Sequence, residues 1–185
     1  MDGSIQVASI DTLKEAIPDY ARDLRLNLGS VLTQQGSPGL SEVQIWSLAL
    51  ASAIASRNVE FTREVETLAR EKLDDAVIGA ARSAAAIMSM NNVYYRFLHL
   101  VQDDEYATLP ARLRMNALAN PGIDRNDFEL LSLAVSAING CGLCITAHER
   151  KLREHGIGRD VVQSAVRIAA TIHAVAVVRE YARAA

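Results

Sequence analysis

Proline occurs only four times in 185 residues and aromatic side chains make up only 5% of them. With so few rings, any core must be built largely from other apolar side chains. Half of the residues are nonetheless hydrophobic, so the core is made of Ala, Leu, Val and Ile, whose small side chains let helices approach closely. No basic run interrupts a net charge of −3, which argues against nucleic acid and anionic membranes as partners. Met1 to Ile10 lacks the basic and apolar regions of a signal peptide. The most apolar stretch, Ala165 to Val178, carries Arg167, Thr171 and His173 and reads as too short and too polar to cross about 30 Å of hydrocarbon. The expectation is a cytoplasmic protein. Cysteine is the scarcest reactive residue, with two in the whole chain. In a reducing compartment a pair only three residues apart points to catalysis or metal binding rather than to a structural staple.

What is present is helical periodicity from end to end. One or two helices span Ile10 to Leu32, broken near Pro18, and Gly36-Ser37-Pro38-Gly39 is a loop. Ser41-x-x-Gln44 is a capping box opening a helix through Ser56. Asn58 caps a helix to Lys72, and an Ala-rich helix follows from Asp74 to about Met90, interrupted at Asn91-Asn92 and resuming towards His99. A further helix is predicted from Thr108, with Pro110 in its first turn, ending before Asn120-Pro121-Gly122. Asp124 or Asn126 starts the next, to Ile138; Asn139-Gly140 breaks the chain, and another runs from about Cys141 to His155-Gly156. The last extends from about Asp160 to Tyr181. The fold class is all-α, a compact helical bundle in a single domain over 1–185. Gln44-Ile45-Trp46-Ser47-Leu48-Ala49-Leu50 echoes Glu129-Leu130-Leu131-Ser132-Leu133-Ala134-Val135, which marks degenerate repeat halves at about 40–100 and 124–185, with thiols only in the second; chance likeness between Ala- and Leu-rich helices explains the echo equally well.

The two cysteines form Cys141-Gly142-Leu143-Cys144. At the start of a helix they project about 60° apart, beside unpaired N–H groups that favour thiolate. One sulfur can attack and its neighbour can resolve the product into a disulfide. His148 falls on the same face, about one turn beyond Cys144, where an imidazole can accept a thiol proton. Glu129 on the preceding helix can orient that imidazole if the two helices fold together. Glu149, rotated about 100° from His148, reads as a surface residue; His99 and His173 read as packing or polar-edge residues, and His155 as a cation at a helix C-terminus. A metal reading, Cys141, Cys144, His148 and His155, fails geometrically, because His155 lies about 16 Å beyond Cys144 along one helix. Two buried cysteines acting only as small hydrophobes are the plain alternative.

The spacing Glu129-x11-Cys141-x2-Cys144-x3-His148 resembles the alkyl hydroperoxidase D family, within the carboxymuconolactone decarboxylase-like superfamily. Further likeness lies in Tyr20 to Asn27, Ala85-Ala86-Ile87-Met88, Asn91-Asn92-Val93-Tyr94-Tyr95 and Leu113 to Ile123. The resemblance implies an all-helical, internally duplicated subunit assembled as a homotrimer. It implies an antioxidant peroxidase that reduces an alkyl hydroperoxide, takes electrons from dihydrolipoyl groups on a lipoyl-bearing acyltransferase, and regenerates a partner peroxiredoxin, alkyl hydroperoxide reductase C. By position it makes Cys144 the peroxidatic thiol, Cys141 the proton donor and resolving thiol in a redox-active Cys141–Cys144 disulfide, and Glu129 with His148 a proton relay. No bound cofactor or metal is expected. The family carries His before its second cysteine where this chain has Leu143, a side chain expected to face a neighbouring helix, a second subunit or a docking partner rather than the thiols. A decarboxylase-type lyase on the same fold, or a non-enzymatic redox sensor or partner-binding module, are the alternative functions.

Overall fold

The computed structural model describes residues 9–184, with side chains through residue 182, so the reading of Met1 to Ile10 lies largely outside the described residues. These residues form ten α-helices and no strand. Ser9 and Thr12 make a reciprocal capping box at the start of α1 (Ile10–Glu15), and Pro18 separates it from a 3-10 turn and α2 (Arg22–Val31). Ser41 and Gln44 form the predicted box at α3 (Glu42–Ser56). Asn58 accepts the N–H of Phe61 at the head of α4 (Val59–Ala69), and Asp74 accepts that of Val77 at the head of α5 (Asp75–Leu100). Two short helices follow, α6 (Glu105–Thr108) and α7 (Asn116–Ala119), and then α8 (Arg125–Ile138), capped by Asp124. Helix α9 (Gly142–Glu154) ends ahead of Gly156, whose φ of 79° is the left-handed geometry that glycine adopts freely. Helix α10 (Arg159–Ala184) closes the fold.

Helices α3 and α8 are the central pair. Their side chains Leu48, Ala49, Ala53, Leu131, Ala134 and Val135 are all buried, and both pack against α5 and α10. The small residues that replace aromatics allow this close approach: Ala80, Ala81, Ala84 and Ala85 of α5 and Ala165, Ala169 and Ala176 of α10 are also buried. Helices α3, α4 and α5 have 15, 11 and 26 residues, and α8, α9 and α10 have 14, 13 and 26.

Three expectations are corrected. Helix α5 is not interrupted at Asn91-Asn92 but runs unbroken through both. Asn92 donates through Nδ2 to Ser136 Oγ (2.9 Å) and accepts from Asn139 Nδ2 (3.0 Å), so its amide serves the packing of α5 on α8 and has no reason to turn on its own backbone. The continuous helix predicted from Thr108 to just before Asn120 does not form. Leu109, ahead of Pro110, is extended with ψ 137°, and Arg112 has φ 51°, which leaves only α7 helical. Finally, the apolar C-terminal stretch belongs to a helix that is long and apolar enough, by length and composition, to cross a membrane. In this fold it packs inside: Ala165, Ile168, Ala169, Ile172, Val175 and Ala176 are buried at helical spacing, Arg167 donates to the Gly36 carbonyl (2.8 Å), and Arg179 pairs with Glu64 (2.7 Å).

Candidate active site

The turn between α8 and α9 is three residues long, and it sets the site. Asn139 ends α8, Gly140 turns with φ 68°, and Cys141 is the capping residue of α9. The Cys141 N–H donates to the Ser136 carbonyl (3.1 Å) and Arg96 of α5 donates to the Asn139 carbonyl (2.6 Å). With Asn92 bonded to Ser136 and Asn139, the turn is held from below by a polar network that sequence spacing did not reveal.

Cys141 and Cys144 are joined by a disulfide, with their Cα atoms 5.3 Å apart. The two sulfurs differ in environment. Cys141 is wholly buried and its Sγ accepts the N–H of Cys144 (3.3 Å), in the role an Asp or Ser oxygen fills at other helix starts. Cys144 is 7% exposed and lines a cavity of about 290 Å³ together with His148. Folding α9 back on α8 brings His148 Nδ1 to 2.5 Å from Glu129 Oε2. The other carboxylate oxygen takes a hydrogen bond from Lys151 Nζ at 2.9 Å. Burial pushes the Glu129 carboxyl up, but its hydrogen bonds with His148 and Lys151 and the positive charge beside it outweigh that effect and hold it below the usual glutamate range. An ionised Glu129 fixes the proton of His148 on Nδ1, which leaves Nε2 as the nitrogen able to take one.

The structure thus brings all four predicted residues into one cluster and adds a fifth. Lys151 is three residues beyond His148 and seven beyond Cys144, so its placement on this face was legible from helical spacing; only its partner was not. Leu143 is 43% exposed and lines the same cavity as Cys144 and His148, so it stands closer to the chemistry than its expected outward role implied. Met88 and Tyr95 of α5, with Met115 and Leu118 from the segment around α7, complete a largely apolar wall, and Tyr95 OH reaches Met115 Sδ at 3.9 Å. His155 is set apart, 2.6 Å from Asn126 Oδ1. Among the described residues no group of three or more His, Cys, Asp or Glu side chains is placed to hold a metal ion.

Known proteins resemble this chain in sequence. Residues 104–185 match the model of the carboxymuconolactone decarboxylase family. An alkyl hydroperoxide reductase AhpD of Frankia alni is 57% identical over 93% of this chain and 91% of its own length. Proteins of the same name from Rhodopseudomonas palustris and Streptomyces coelicolor are 56% and 54% identical, each over 91% of this chain and over 92% and 93% of their own lengths. With identity this high over more than 90% of both chains, the chain belongs to the AhpD family of alkyl hydroperoxide reductases.

Proposed function

We propose that the chain is a thiol-dependent alkyl hydroperoxide reductase in which Cys144 attacks the peroxide. The observation that carries this reading is the asymmetry of the disulfide: Cys144 borders the cavity beside His148, and Cys141 is sealed behind it. In the reduced form His148 Nε2 takes the Cys144 proton, and Glu129 balances the resulting imidazolium. The thiolate attacks the terminal peroxide oxygen, the O–O bond breaks, and the alkoxide leaves as an alcohol after receiving that proton. Cys144 is now a sulfenic acid. The Cys141 sulfur attacks it, the S–O bond breaks, water departs, and the disulfide closes. Two electrons have passed from two thiols to one hydroperoxide.

Re-reduction runs through the same opening. An incoming thiolate attacks Cys144, and Cys141 leaves as a thiolate stabilised by the Cys144 N–H that its sulfur already accepts; the reductant's second thiol then attacks the mixed disulfide, releasing Cys144 as a thiolate and the reductant as a disulfide. The apolar wall of Met88, Met115, Leu118 and Leu143 suits an alkyl peroxide and suits equally the arm of a dihydrolipoyl group. Dihydrolipoyl groups on an acyltransferase as electron source, a peroxiredoxin of the alkyl hydroperoxide reductase C type as partner, a homotrimeric assembly, a cytoplasmic setting and descent of the two three-helix units from one repeat all belong to this proposal.

Mass spectrometry tests it. Peroxide treatment of the reduced chain is expected to convert the Cys141–Cys144 peptide from dithiol to disulfide, and Cys141→Ser is expected to stop at a sulfenic acid on Cys144. Sulfenic acid trapped on Cys141 in the Cys144→Ser variant, at a comparable rate, overturns the assignment of the thiols; no change in either peptide overturns the peroxidase reading.

A further inference from the structure

A second cavity, of about 400 Å³, lies between the C-terminal ends of α3 and α8, with α5 and α10 as its sides. It is distinct from the thiol cavity: on α5, Asn91 and Tyr95 face the thiols, and Asn92 and Arg96 face this one. We infer that it is a binding site for a small oxyanion, a phosphate or carboxylate group held between Arg57 and Arg96.

The lining is basic in a chain whose net charge is −3. Arg57, Arg96 and His173 border the cavity and no carboxylate does. Two helix C-termini border the cavity, each equivalent to about half a negative charge; together they offset about one of the two guanidinium charges and leave a surplus. Arg57 is the less committed of the two. It sits at the end of α3 with φ 66°, a left-handed conformation that non-glycine residues seldom adopt, and its guanidinium makes no hydrogen bond or ion pair to the described residues. Glu180, in the neighbouring groove that Arg57 also borders, is bonded to Asn58 Nδ2 at 2.7 Å. Arg96 spends Nη1 on the Asn139 carbonyl and keeps further N–H donors in its planar fork. His173 Nδ1 lies 3.2 Å from Ser56 Oγ, so the wall between the arginines is polar as well. Two arginines bordering one open polar cavity supply the kind of donor that recognises an oxyanion.

Calorimetric titration of the intact protein at fixed ionic strength, with inorganic phosphate and separately with succinate against a chloride background, tests the site. Saturable binding of one anion per chain is expected, weakened at least tenfold in Arg57→Gln and in Arg96→Gln and largely kept in Arg57→Lys. Arg57 has an exposed side chain with no partner among the described residues, so its variants keep the fold and stand if Arg96→Gln does not. Binding of phosphate alone identifies a phosphate ligand, and binding of succinate identifies a carboxylate. No saturable binding of either anion, or equal binding by wild type and Arg57→Gln, overturns the site.

Discussion

Counted from their capping residues, α4 carries Asn58, Phe61 and Val65 where α9 carries Cys141, Cys144 and His148. Both caps bond the same backbone group: Asn58 Oδ1 accepts the N–H of Phe61 (2.9 Å) and Cys141 Sγ that of Cys144 (3.3 Å). Three and seven residues further on, α4 buries Phe61 and Val65 almost completely, with Arg179 5.8 Å from the centre of the Phe61 ring. At those places α9 leaves a sulfur and an imidazole beside a cavity. The backbone geometry of a reactive helix start is therefore ordinary here. What makes one such start reactive is that its third and seventh residues are not used to fill the core.

The largest expected effect separates the two helices by chemistry. Cys144→Ser should lower peroxide turnover by at least about a thousandfold and barely move the denaturation midpoint of the reduced protein; residual turnover within tenfold of wild type breaks the comparison. His148→Gln should cost about 10²–10⁴-fold in turnover and displace the pH–rate profile, an outcome that a purely structural histidine does not give. On the other side, Phe61→Ala should cost about 3–5 kcal/mol of stability while each folded molecule keeps its activity, measured by urea unfolding alongside peroxide consumption. A loss of activity larger than the loss of folded protein would show that α4 takes part in the chemistry.

Lys151→Met should have the smallest effect, about 0.5–1 kcal/mol of stability at neutral pH. Glu129 lies below its usual pKa, so its ionised form stabilises the fold. That contribution is complete above the unfolded value, about 4.3, and is lost as pH falls through the lower folded value. Removing the lysine raises the folded value. The difference between variant and wild type in urea titrations should thus be present at pH 7 and vanish once both carboxyls are protonated. A difference that persists in acid would assign the lysine a packing role instead.

How far the sequence led depends on the range of the interactions concerned. Caps and breaks were legible because they are local: Ser41 with Gln44, Asn58, Asp124 and Gly156 all act within four residues of where they stand. The cluster of Cys144 and His148 was legible for the same reason, and Glu129 joins it because the turn after α8 is short. Asn92 misled because its partners, Ser136 and Asn139, are over forty residues away, and a buried amide satisfied across helices looks in sequence like one satisfied by its own turn. Pro110 misled in the opposite direction: the first turn of a helix tolerates proline, but the extended Leu109 before it and the left-handed Arg112 after it left no helix to start. The expectation for Leu143 came from angles on one helix, and the cavity it borders is made by three stretches of chain.

The pairing of α3 with α10 also sets an order of events during synthesis. Helix α3 packs most extensively against α10, which lies roughly a hundred residues further along the chain. As the polypeptide emerges at about 5–20 residues per second, the face of α3 that α10 covers stays without its main partner for at least several seconds. Helices α4 and α5 are available to shield it in the meantime, and the fold closes only after Ile168, Ile172 and Val175 have left the ribosome. Contacts so distant in sequence slow folding, and the nascent chain carries the thiols of α9 out before the helix that completes the core behind them.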